Sequence, residues 1–216
     1  MRIKEIVFSI IFFCITNFLA SETVEIGFIE KARGVVAKFY EEQGDLLKRG
    51  DIIYQNDKII TEGNGFARIK FIDTDGFLLI GAESDITVSL FKTDEGYEKA
   101  FSVQHGVIFT SSKNLTRIST KNAVIFFRSA EVYIENRCDT LRVFCNKGNV
   151  RIESAWGEAN LYETEEAIVL EEMTPYKEKR PERKKEISEI ESLNEIIEIE
   201  MENGKMQKKK IILEIE

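Results

Sequence analysis

Apolar and polar residues alternate along this chain in short runs, broken by turn residues about every ten positions. Between Gly34 and Ile80 the order is Gly-Val-Val, then Gly-Asp-Leu-Leu-Lys-Arg-Gly-Asp-Ile-Ile, then Ile-Ile-Thr-Glu-Gly-Asn-Gly-Phe-Ala-Arg-Ile-Lys-Phe, then Asp-Gly-Phe-Leu-Leu-Ile. A period of two punctuated by Gly, Asp and Asn reads as successive β-strands joined by tight turns. The pattern predicts strands at Val35–Tyr40, Asp51–Tyr54, Lys58–Thr61, Ala67–Ile72, Phe77–Ile80, Thr87–Lys92, Lys99–Val103 and Val107–Ser111. It continues with Arg117–Thr120, Ala123–Arg128, Glu131–Glu135, Leu141–Phe144, Val150–Glu153, Asn160–Glu163 and Ala167–Glu171. No stretch before residue 175 holds helical spacing over a useful length, so the fold class is all-β.

Strand order alone leaves solenoid, sandwich and barrel open. A loose repeat favours a twisted β-solenoid-like stack, with a β-sandwich as the alternative. Gly34-Val35-Val36, His105-Gly106-Val107-Ile108 and Gly148-Asn149-Val150-Arg151-Ile152 each lead from a Gly-plus-polar turn into a β-branched strand. Stacked units sharing one core would explain that recurrence.

Beyond the body the pattern changes. Pro175 and Pro181 stand among Lys177, Lys179, Arg180, Arg183, Lys184 and Lys185, which reads as a linker. Ile187, Ile190, Asn194 and Ile197 follow at helical spacing. The period then returns to two: Ile197, Ile199 and Met201 precede Asn203-Gly204, and Ile211, Leu213 and Ile215 follow it. Asn-Gly is a strong signal for a two-residue hairpin turn. At the other end, Arg2 and Lys4 precede an apolar run from Ile6 to Leu19, closed by Ala20 and Ser21. A membrane span needs about 20 apolar residues, and this run is shorter, so a cleaved secretory signal is expected, with an uncleaved anchor as the alternative. The expected organisation is a signal peptide at 1–21, an all-β domain at 22–174, a charged linker at 175–192 and a C-terminal hairpin tail at 193–216. The expected location is periplasmic or secreted, with no stable membrane span once the signal is removed.

The net charge of −8 opposes phosphate backbones, so nucleic acid is not an expected partner. Export changes the meaning of the cysteines, because Cys138 and Cys145 then form an even pair in an oxidising compartment. They are a candidate disulfide. On one straight strand they would face opposite sides, so a bridge requires a turn between them; otherwise they are two buried thiols.

Catalytic chemistry finds no foothold. His105 is the single histidine, and no nucleophile–base set assembles around it by motif. One His and two separated Cys do not make a zinc site, and no cofactor is expected. Asp73-Thr74-Asp75-Gly76 lacks the carboxylates of a calcium loop at Phe71 and Ala82 and reads as a β-turn. Gly63-Asn64-Gly65 and Gly50-Asp51 read as turns rather than phosphate cradles. Trp156-Gly157 is read as a core tryptophan at a strand corner in preference to an exposed ligand platform. Asn114-Leu115-Thr116 has the form of a glycosylation sequon. The basic residues of 177–185 and Lys208-Lys209-Lys210 are read as solvated surface.

The string from Gly44 to Ile53, with Ile60-Thr61-Glu62-Gly63, Gly65-Phe66-Ala67-Arg68-Ile69, Asp75-Gly76 and Asp85-Ile86-Thr87-Val88, resembles the FecR domain family. His105-Gly106-Val107-Ile108, Ile118-Ser119-Thr120-Lys121-Asn122-Ala123 and Gly148-Asn149-Val150 fit its second half. The resemblance covers roughly Lys31 to Leu170. It implies an all-β exported domain of twisted solenoid-like build, a sensing or binding role and no known catalytic residues. Members that regulate iron-citrate uptake place an anti-sigma region before their membrane span and a short secretin/TonB-type domain after the β-domain. Here five residues precede the apolar run and a charged linker and hairpin follow the body, so signalling to a sigma factor is not expected; Phe77 also stands where the family usually has a small residue after Asp-Gly, so the local turn environment differs. The expected function is non-enzymatic: an exported binding or sensing module that contacts another cell-envelope component, protein or polysaccharide, with the tail hairpin adding to a sheet edge. The alternative is a structural or self-associating envelope or surface protein. An enzyme ranks last, because no carboxylate pair stands out.

Overall fold

The computed structural model of the protein describes residues 24–40, 43–73, 76–93 and 96–180. They form seventeen strands. In chain order these are β1 Glu25–Arg33, β2 Val36–Tyr40, β3 Gln43–Leu46, β4 Ile52–Tyr54, β5 Lys58–Thr61, β6 Phe66–Phe71, β7 Phe77–Ile80, β8 Ser84–Thr93 and β9 Gly96–Ser112. Then follow β10 Thr116–Ser119, β11 Ala123–Phe127, β12 Ala130–Arg137, β13 Thr140–Lys147, β14 Asn149–Ser154, β15 Gly157–Tyr162, β16 Glu165–Leu170 and β17 Tyr176–Lys179. The fold is all-β.

The ladders fall into two layers. Layer A runs β4-β1-β6-β7-β9-β12-β13-β16-β17. Layer B runs β3-β2-β5-β8-β9-β10-β11-β14-β15. Every pairing in these two series is antiparallel except β9–β10. Both layers advance with the chain, since successive hairpins are laid alternately into one and then the other. The solenoid-like progression and the sandwich-like pair of layers are thus one arrangement. Neither layer closes into a barrel: among the described residues β4 and β17 end layer A, and β3 and β15 end layer B.

Strand β9 belongs to both layers. Its first part pairs with β8 (Val88↔Phe101) and β10 (Ile118↔Phe101), and its last part with β7 (Ile80↔Ile108) and β12 (Ile134↔Ile108). The change falls at Gly106, whose φ of +113° L side chains rarely adopt. The sequence pattern reads a break there between two strands; the ladder instead continues through a corner. Other layer changes also pass through left-handed residues: Gly34, Asn56, Glu83, Ser129, Gly148 and Thr164. All three glycines of the loose sequence repeat are therefore corners.

Inward-facing side chains of both layers meet in one core. Ile29, Ile69, Ile80, Ile108 and Val143 of layer A and Ile59, Val88, Phe101, Ile125 and Leu161 of layer B belong to it. The Phe71 and Phe101 rings stack across the layers with centroids 5.9 Å apart. Lys99 sits beside them, fully buried; its Nζ is 2.7 Å from Asp73 Oδ2 and 4.9 Å from the Phe71 ring centroid. A buried ammonium needs such a partner, because desolvation alone would expel it.

The alternation misses three strands. In β1 a register shift between Ile29 and Lys31 breaks the period. All four residues of β3 are exposed, so no apolar signal marks it. Strand β17 lies where the charged linker was expected to begin. Its lysines are compatible with a strand because they lie at the layer's edge, where Lys177 Nζ stands 3.4 Å from Glu165. The expected signal peptide, the rest of the linker and the hairpin tail lie outside the described residues, as do the central residues of the Asp73–Gly76 turn.

Candidate interaction surfaces

The residues singled out for chemistry are spoken for structurally. His105 is exposed at the β9 corner, opposite Asp85. Thr61 donates its hydroxyl to Gly81 O at 2.6 Å and accepts the Ser84 amide at 2.9 Å. Thr120 Oγ1 accepts the amides of Asn122 and Ala123 at 3.3 and 3.1 Å. Asn114 of the sequon donates its amide to Asp73 at 2.9 Å. Among the described residues no group of His, Cys, Asp and Glu is arranged to hold a metal ion.

Cys138 and Cys145 are both free. They share the β12–β13 hairpin, but Cys138 is exposed at its tip while Cys145 pairs with Val132 far along the strand. Five strand positions beyond the Arg137↔Thr140 closing pair amount to about 17 Å, against the roughly 7 Å limit between bridgeable Cα atoms. The bridge that the sequence allowed therefore does not form in this arrangement. Burial pushes the Cys145 thiol up to about 12, helped by the negative charges of Glu163 and Glu165, so it stays protonated at neutral pH.

A shallow groove of about 490 Å³ lies at the first rung, lined by Lys38, Asp45, Gly50, Asp51, Ile52 and Tyr54. Lys38 Nζ donates to Ile52 O at 3.2 Å and stands 5.4 Å from the Tyr54 ring centroid. Asp51 Oδ2 caps the Lys48 amide at 2.7 Å, and the nearby Asp57 Oδ2 accepts the Tyr54 amide at 2.8 Å. These carboxylates hold turns; they do not face each other as an acid–base pair.

The last rung presents a different surface. Among the described residues β15 pairs only with β14, and β17 only with β16. Trp156, Tyr162, Met173 and Tyr176 are all exposed there, at 56, 58, 50 and 42%. Trp156 is therefore not the core residue its bulk suggested. It occupies the two-residue β14–β15 turn, where Ser154 Oγ accepts its amide at 3.2 Å and Thr174 Oγ1 donates to its carbonyl at 3.0 Å. Those two bonds fix the backbone and leave the indole outside.

Lys177 ties β17 to β15. Its Nζ donates to Asn160 O at 3.1 Å and lies 5.9 Å from the Tyr162 ring centroid. Glu165, at the start of β16, accepts the Tyr162 amide at 3.0 Å. That bond, followed by the charge of Lys177, holds its carboxyl below the usual range. Among the described residues, the result is an edge where two strands are each paired on one side only and four large side chains are exposed. Such an edge can pair with an added strand or offer aromatic faces to a ligand.

The described residues thus form a two-layer β-domain whose end strands are paired on one side and whose polar groups hold turns and ladders. Comparison of folds agrees with the architecture. Two crystal structures of a proposed anti-sigma factor from Parabacteroides distasonis match with TM-scores of 0.50 and 0.51, at 13 and 14% identity. Each match covers 57% of this chain and 59% of the other, so the chain spans under two thirds of the length of those structures. No protein-family model matches the sequence, and no curated protein matches it.

Proposed function

We propose that the protein is an exported, non-enzymatic FecR-like module that binds or senses another component of the cell envelope, protein or polysaccharide, through its last rung. The observation that carries this reading is the open β15/β17 edge with Trp156, Tyr162, Met173 and Tyr176 exposed beside it. Aromatic side chains on a rigid surface supply large contact area at small entropic cost. The FecR resemblance supports the same class: its Gly106 and Gly148 are corners, and its Thr61 and Thr120 hold backbone amides. The fold likeness to a proposed anti-sigma factor supports a regulatory role for the sensing event. Export rests on the apolar run at 6–19.

The test is a photo-crosslinker in place of Tyr162 in native envelopes, with the outer-face position Arg151 of layer B as control. One discrete adduct at Tyr162, lost when Trp156→Ala and Tyr176→Ala are added, is the expected result. The absence of any adduct specific to Tyr162 refutes the reading. Self-association is the second reading, favoured by open edges at both ends of the stack, β3/β4 and β15/β17. An adduct with a second copy of the chain, together with concentration-dependent oligomers, would select it.

A further inference from the structure

One bonding arrangement closes a terminal strand at each end of the stack. At the first rung, Ile29 N donates to Asp51 O and Gln55 N to Val24 O, both at 2.8 Å, so Asp51 and Gln55 bond toward β1. The backbone groups of Ile52 and Tyr54 between them therefore face outward by alternation. Two of those groups are taken by side chains. Lys38 Nζ donates to Ile52 O at 3.2 Å, and Asp57 Oδ2 accepts the Tyr54 amide at 2.8 Å. At the last rung, Lys177 Nζ donates to Asn160 O at 3.1 Å, and Glu165 Oε2 accepts the Tyr162 amide at 3.0 Å.

The two clips match part by part. Each takes the carbonyl of one residue and the amide of the tyrosine two positions on. Each carboxylate follows its tyrosine by three residues, just past a left-handed residue, Asn56 at φ +68° and Thr164 at φ +70°. Each ammonium stands near that carboxylate, at 3.9 Å for Lys38–Asp57 and 3.4 Å for Lys177–Glu165. It also lies beside the tyrosine ring, 5.4 and 5.9 Å from the centroid. Each lysine crosses from the other layer: Lys38 on β2 reaches β4, and Lys177 on β17 reaches β15. A residue of a strand added in parallel would donate its N–H to that carbonyl and accept that amide. The ammonium and the carboxylate imitate such a residue and fill its place.

A copy stacked head to tail would meet one clipped strand in each layer. Continuing layer A sets β17 of one copy against β4 of the next, and continuing layer B sets β15 against β3. Among the described residues β3 and β17 carry no such clip; Gly44 and Leu46 face outward on β3, and Lys177 and Lys179 on β17. Both ladders of the junction are thus blocked, one from each side. We infer that the two clips are end caps against stacking of this chain on itself. With both open, the β15/β17 end of one copy docks on the β3/β4 end of a second. That interface is heterologous, so it adds copies in a line instead of closing a pair. It sets the condition under which the self-association reading applies, and it is independent of binding to another envelope component.

The test compares the purified full chain with a variant carrying Lys38→Met and Lys177→Met, in which an apolar stem remains and the ammonium is gone. Wild type should sediment as a single chain at every concentration. The double variant should grow several-fold in mean mass as concentration rises while its β-type far-ultraviolet dichroism persists. Each single variant keeps one ladder blocked and should stay a single chain. A photo-crosslinker replacing the exposed Leu46 on β3 should then join Gly157–Tyr162 of a second copy in the double variant only. Lys38→Gln with Lys177→Gln, shorter and uncharged, serves under the same criteria where the methionine variant does not fold. A folded double variant that remains a single chain overturns the inference, as do oligomers whose Leu46 adducts map elsewhere. Wild type forming the same oligomers overturns it too, yet leaves the self-association reading standing. A missing Tyr162 adduct in native envelopes bears on the envelope-binding reading alone.

Discussion

Replacing Gly106 by alanine tests the corner at which β9 passes from one layer to the other. Two costs arise there. Alanine at φ +113° carries backbone strain of about 1–3 kcal/mol. Its Cβ would also lie 2.5 Å from the Ser84 Cα, and closer still to the Ser84 Cβ and Oγ. Relieving that overlap costs about 1–3 kcal/mol more. Ser84 Oγ also accepts the Val107 amide at 3.1 Å and donates to Gly81 O at 3.0 Å, and displacing it forfeits about 1 kcal/mol. The total is about 3–7 kcal/mol, a large share of the 5–15 kcal/mol typical of a domain. Gly50 supplies the control, because its φ is +94° but a Cβ there meets nothing within 4 Å. Gly50→Ala should therefore cost the strain alone, about 1–3 kcal/mol. In urea, with a slope of about 2 kcal/mol/M, the two variants should differ in midpoint by about 1–2 M. A shared midpoint would refute the close approach of Ser84 to the β9 corner.

Three further outcomes follow from the same structure. Asp73→Ala leaves the Lys99 ammonium buried without its partner and should cost about 3 kcal/mol in urea unfolding, the low end for broken buried pairs because Asp73 is partly exposed. Lys99→Met should cost less, and the reverse order would contradict the placement of that lysine. Native protein should take up one equivalent of an alkylating reagent at Cys138 and none at Cys145 until denaturant is added, read by peptide mass spectrometry; rapid native labelling of Cys145 would contradict its burial. The lowered pKa of Glu165 stabilises the fold above the ordinary carboxylate range, and that contribution is lost as pH falls through its folded value. Its side-chain carboxyl should titrate below a model glutamate by NMR, and Glu165→Gln should remove that acid-side loss; a midpoint at or above the model value would contradict it.

Most of the strand pattern is legible in the sequence because one face of each such strand meets the core. Lys58–Thr61 and Phe77–Ile80 are read with their observed bounds, since turn residues stop them at both ends. What escapes is structure with no apolar contrast. Strand β3 is exposed along its whole length, and β17 is held by ladder bonds and lysine–glutamate contacts. Gly106 misleads because a left-handed glycine marks a corner within a ladder as well as a turn between ladders. Trp156 misleads because bulk predicts burial on average, whereas here its backbone is fixed within a tight turn. The second buried cluster, Leu79, Phe109, Tyr133 and Phe144 in layer A, was signalled by continuous apolar runs, Phe77-Leu78-Leu79-Ile80 and Val143-Phe144-Cys145, which mark strands buried on both faces. Alternation alone, read strand by strand, passes over that signal.

Amide hydrogen exchange on the folded protein tests the open edge most directly. Alternate amides of residues 157–161 and of Tyr176–Lys179, pointing away from β14 and β16, should exchange at close to unprotected rates, while the Tyr162 amide held by Glu165 and the interior strands β13 and β14 remain protected. Uniform protection along β15 and β17 would show those ladders already occupied, and the last rung would no longer be available as a binding surface.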